Sequence, residues 1–137
     1  MKRFPRMDKG VRDSIAMSMH MAVEVLLAAP DSKVFTDVTK QLAIMSAAVD
    51  YGASVRIKDR TDDYARAICS ALEACEGIQA RHAAKGVWGV SGDEINRLRA
   101  AVFHFDEALK LIPWPVYQSA QQFVDERLSQ PHIHHGT

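Results

Sequence analysis

The residues able to do chemistry are few, and they fall into four groups. His20 and Glu24 stand four apart, and His104 and Glu107 three apart, spacings that put each pair on one face of a helix. A carboxylate-bridged metal pair in a helical bundle takes Glu-x-x-His on two helices plus further glutamates, and no Glu-x-x-His occurs. Both pairs lie on the polar side of their segments, so they read as solvated His–Glu pairs rather than metal ligands. His132, His134 and His135 close the chain in the polar run QPHIHHGT, where imidazoles bind added nickel or zinc without being a built site. No metal and no cofactor is expected.

Nucleophilic chemistry needs a base within reach and a third group to orient it. Cys69 and Cys75 sit among alanines on a helical pattern, six apart and on different faces, so they cannot pair with each other there. They read as small buried hydrophobes in a reducing compartment, which places the chain in the cytoplasm. His82 near Lys85 complements a helix end better than it serves as a base. Gly86, Gly89 and Gly92 have no Lys-Ser/Thr pair behind them, so they punctuate helices and do not cradle a phosphate. An enzyme is the least favoured class.

The third group is a basic arm, Lys2, Arg3, Arg6, Lys9 and Arg12 against Asp8, which could lie along phosphates. The whole chain has 17 Lys plus Arg and 17 Asp plus Glu, a balance that argues against a protein built for nucleic acid. A helix-turn-helix sought in 78–99 has too long a turn at 86–92, and Asp93 and Glu94 stand at the end that would enter the groove. Nucleic-acid binding through the arm is therefore the alternative reading.

The fourth group is apolar. Met17, Met21 and Val25 form a second strip on the first helix, beyond its core stripe of Val11, Ile15, Met19, Ala22 and Leu26 with Val23 and Leu27 beside it. Ser14, Ser18, His20 and Glu24 flank this strip like an interface rim. Phe103 likewise falls outside the stripe of its helix. Either the last helix or Trp114 covers Phe103 and the methionine strip fills core under a fifth helix, or these four residues make protein–protein contact, most simply a homodimer; contact is the leading functional expectation.

The elements that carry these groups are helical throughout. Ile95, Leu98, Val102, Phe105, Leu109 and Ile112 step by 3, 4, 3, 4 and 3, behind a capping box of Ser91 and Glu94 and ahead of Pro113 and Pro115. Val90 and Ile95 are placed for a hydrophobic staple. Earlier helices are predicted over 9–29, capped by Asp8 or Asp13; over 33–51, capped by Asp31 or Ser32, with Gly52 as a left-handed stop; and over 61–85, with Gly86 as the stop and Val87 as the apolar contact beyond it. Trp88 should fold onto the core. Residues 53–60 alternate weakly and read as a loop or an irregular helix extension. A last helix at about 115–129 should bury Val116, Ala120, Phe123, Val124 and Leu128.

The expected architecture is all-α: a compact single-domain bundle of four to five helices, mainly antiparallel neighbours. Residues 1–8 read as a flexible arm, 9–129 as the bundle and 130–137 as a mobile tail. The run after the basic start carries His20 and Glu24, and Asp8 and Asp13 interrupt the lead-in, which argues against a signal peptide. That run is also too short and polar to span a membrane.

Overall fold

The computed structural model describes residues 7–54 and 61–128. Among them are five helices and no β-strand: α1 Lys9–Ala28, α2 Ser32–Ser54, α3 Thr61–Lys85, α4 Gly92–Leu109 and α5 Trp114–Leu128. The helices α1 to α4 form a ring in which α1 packs on α2 and α4, and α3 packs on the same two helices. The fifth helix rests chiefly on α2. Cross-helix pairs give the directions. Tyr64 meets His104, Glu73 meets Arg97 and Arg81 meets Glu94, so α3 and α4 run antiparallel. His20–Asp106 and Glu24–Arg99 set α1 antiparallel to α4 in the same way.

Helix ends follow local chemistry. Asp8 caps α1 by accepting from the Gly10 N–H at 3.0 Å, and Asp31 caps α2 by accepting from the Val34 N–H at 2.9 Å. Both bonds of the Ser91/Glu94 capping box are made. Gly86 ends α3 with φ of 75°, the left-handed conformation that only glycine adopts freely. Its N–H returns to the His82 carbonyl at 2.7 Å.

The α4 stripe is the heart of the core. Leu98, Val102, Phe105, Leu109 and Ile112 are all buried, against Met19, Val23 and Leu26 of α1, Leu42, Met45 and Val49 of α2, and Ile68, Cys75 and Ile78 of α3. Met7 is also buried, at 5% exposure, so packing starts ahead of α1. Trp88 lies over the end of the bundle, stacked on His82 at 3.9 Å and tilted against Phe35 at 4.9 Å.

Several expectations are corrected. Gly52 does not stop α2, which continues to Ser54; the rest of the alternating segment, 55–60, lies outside the described residues. The fourth helix ends at Leu109, and a turn over 110–112 carries Ile112 into the core. Val87 is exposed, so the contact beyond Gly86 comes from Trp88. Val11, Phe123 and Leu128 are exposed as well. Tyr117 takes the buried place on α5 because it packs on Trp114, with ring centroids 5.9 Å apart, and reaches Gln41 of α2. Cys75 is buried and Cys69 is exposed, so only the former is a core residue.

Candidate functional site

One side of α1 is left over once the ring has closed. Met19, Val23 and Leu26 point inward, and Ile15, Ala22 and Leu27 are half-buried against the neighbouring helices. The strip of Met17, Met21 and Val25 keeps 63%, 60% and 44% of its surface in solvent, and Phe103 on α4 keeps 62%. None of the fifth helix's main packing reaches them, because it lies on α2.

Between α1 and α4 runs a cleft of about 240 Å³, lined by His20, Val23, Glu24, Arg99, Val102, Phe103 and Asp106. Two polar pairs cross it. His20 Nε2 lies 2.6 Å from Asp106 Oδ2, and Arg99 Nη2 donates to Glu24 Oε1 at 3.4 Å. His20 thus pairs with Asp106, 86 positions away, and not with Glu24. His104 packs edge-on to Tyr64 and Phe103, and Glu107 binds Lys110 at 3.3 Å, so the second sequence pair also divides. In each case the histidine finds its partner on a facing helix, Asp106 or Tyr64, and the glutamate is taken by a cation, Arg99 or Lys110.

A His–Asp pair is two members of a nucleophilic triad, but no Ser, Thr or Cys lines this cleft. Among the described residues no three His, Cys, Asp or Glu side chains gather as a metal site. His132, His134 and His135 lie outside the described residues. What the face offers is an apolar strip, one exposed ring and a row of paired polar side chains. Asp106 and Arg99 had no signal in the sequence as members of it, since each acquires its partner only through the α1–α4 packing.

The basic arm is divided. Lys2, Arg3 and Arg6 lie outside the described residues. Lys9 binds Asp13 at 2.6 Å, and Arg12 Nε lies 3.9 Å from the same carboxylate. Hydrogen bonding from Lys9, with the Lys9 and Arg12 charges, holds the Asp13 carboxyl below its ordinary value against a smaller opposing effect of desolvation. Two of the five cations therefore share one counter-charge, Asp13.

The connector 86–91 is an antiparallel helix hairpin and not a DNA-reading turn, whose helices would cross at about 90–120°. Glu94, read as an acid at a groove-facing helix end, is 8% exposed and turned inward. Its Oε1 accepts from the Ser91 N–H at 2.8 Å and from Arg81, which also donates to the Gly89 carbonyl at 2.9 Å. Burial pushes this carboxyl up, but the Ser91 N–H, the Arg81 guanidinium and the Ser91 hydroxyl outweigh it and hold it below its ordinary 4.5.

A second groove, about 360 Å³, runs between α2, α3 and α5 past Ala43, Ala47, Leu72, Phe123 and Leu128. The Arg127 guanidinium lies 5.3 Å from the Phe123 ring centre there. The chain matches no protein-family model, no curated protein and no solved structure. No helix among the described residues is long and apolar enough to cross a membrane.

Proposed function

We propose that this protein is a small non-enzymatic interaction or regulatory protein that works through the outer face of α1 and the adjoining edge of α4, and that it self-associates there. The supporting observation is the exposure of Met17, Met21, Val25 and Phe103 on two adjacent helices. Single exposed apolar residues need no explanation, but four on one face form a patch of the kind that contacts use. Methionine suits such a face because its side chain re-packs readily. Ser14 and Ser18 flank the strip on one side, and the pairs His20–Asp106 and Glu24–Arg99 lie between the strip and Phe103.

Molar mass in solution tests this directly. At ~100 µM a dimer of ordinary affinity is formed, so wild-type protein should have twice the chain mass. The pair Met17→Glu and Met21→Glu should return it to one chain mass. Both side chains are exposed, so each substitution should change monomer stability by about 0.5 kcal/mol or less, and the pair by about 1 kcal/mol with the like charges four apart. A wild-type monomer at that concentration refutes self-association. A double variant that unfolds shows the strip to be core.

A further inference from the structure

Deepening that reading, we infer that Met17 and Met21 form an oxidation site, through which a hydroperoxide sets the polarity of the outer α1 face while the bundle stays folded. The site itself rests on exposure; only its use as a switch of contact rests on the proposed face.

Three methionines alternate along α1, at Met17, Met19 and Met21. Two helical steps turn a side chain through about 200°, so the middle one points away from the outer two. Met19 is fully buried, as is Met45 of α2, whereas Met17 and Met21 are mostly in solvent. One helix thus holds two thioethers within reach of a dissolved oxidant and one shielded from it.

The chemistry is a two-electron oxygen transfer. A sulfur lone pair attacks one oxygen of hydrogen peroxide, the S–O bond forms as the O–O bond breaks, and the departing hydroxide takes the remaining proton and leaves as water. Sulfur is oxidised and the peroxide reduced. The apolar thioether becomes a polar, chiral sulfoxide. A methionine sulfoxide reductase reverses the step, the oxygen leaving as water while a dithiol becomes a disulfide.

The position of the pair makes the change matter. Met17, Met21 and Val25 share one face, so two sulfoxides remove two of the three apolar positions. Ser14 and Ser18 lie on one side of the strip, and the pairs His20–Asp106 and Glu24–Arg99 lie on the other. Oxidation joins these polar margins across the strip and leaves Val25 alone. Neither thioether belongs to the core cluster, so the fold does not depend on them.

Peptide mass mapping after brief peroxide treatment tests the site, on dilute protein with exposed Cys69 changed to Ser so that no exposed thiol competes. Met17 and Met21 should each gain one oxygen about 100-fold or more faster than Met19 and Met45, which react only when the bundle opens. The oxidised protein should keep its urea midpoint and leave a hydrophobic-interaction column earlier. The two epimer-specific sulfoxide reductases with dithiothreitol should restore the retention. Peroxide should leave the retention of a Met17→Leu, Met21→Leu variant unchanged. Met19 or Met45 reacting as fast as Met17 and Met21 overturns the inference, and so does an equal loss of retention in the leucine variant. Self-association is judged separately. At ~100 µM a dimer should slow the oxidation of Met17 and Met21 relative to dilute protein. Equal rates refute the dimer and leave the oxidation site standing.

Discussion

Gly77 has an unusual environment, and its replacement by alanine gives a sharp test of how Glu94 is held. An alanine in a helix interior normally stabilises by about 0.8–1.0 kcal/mol relative to glycine. Here a Cβ at position 77 would stand 2.7 Å from Glu94 Oε2. A free carboxylate would swing aside at little cost. This one is fixed at its other oxygen by the Ser91 N–H and Arg81, so moving it weakens a charge-assisted bond worth about 1.5–3 kcal/mol. The difference leaves Gly77→Ala destabilising by about 1 kcal/mol. In a Glu94→Ala background the obstacle is gone, and the same substitution should stabilise by about 1 kcal/mol. Urea melts of the four proteins measure this, since about 1 kcal/mol moves the midpoint by roughly 0.5 M at an ordinary denaturant slope. The double-mutant cycle should close with a coupling of about 2 kcal/mol. If Gly77→Ala raises the midpoint equally in both backgrounds, Glu94 is not held as described and its burial does no organising.

The same melts should rank Leu98→Ala and Phe105→Ala as losses of about 2–5 kcal/mol, because both are fully buried, and Ser91→Ala as about 1 kcal/mol for a lost cap. The Glu94 carboxyl, held low in the folded chain, contributes stability above its ordinary value of 4.5 that is lost as pH falls through the folded pKa; in acid melts Glu94→Gln should flatten that decline. Burial pushes Tyr117 up to about 12 from 10.0, so it stabilises below pH 10 and that contribution fades between the two values; a phenolate absorbance titration should lose its step near about 12 in Tyr117→Phe. A thiol reagent should label one cysteine in native protein, Cys69, and reach Cys75 only on unfolding, since burial both shields that thiol and raises its pKa; native labelling that survives Cys69→Ser would contradict the burial.

Local signals were the legible ones. The α4 stripe, its capping box and the bounds of α3 follow from spacing and from residues within four positions of each helix end. Gly86 and Gly52 look alike in sequence, but α3 ends at the former with a positive φ and α2 runs through the latter to Ser54. Whether a glycine stops a helix depends on what the chain does beyond it, which no local pattern records. The site divides in the same way. That α1 carries a second apolar strip is a matter of period, and the period could be read. That His20 turns to Asp106, Glu24 to Arg99 and Glu94 to Arg81 depends on which helices pack together. Phe123 and Leu128 mark the other limit. Their period assigned them to a core, and α5 has a single main neighbour, which is too little to cover a full apolar side.

That single neighbour also sets an order of events. Because α5 leans chiefly on α2 while α1 to α4 close on one another, α5 can detach and leave a continuous ring behind. Its backbone amides should therefore exchange with solvent deuterium through a partial opening of lower free energy than global unfolding, while those around Leu98 and Phe105 wait for the whole bundle to open. Exchange of that kind would divide the chain into two cooperative tiers, with the seam along the Ala43 and Ala47 side of α2.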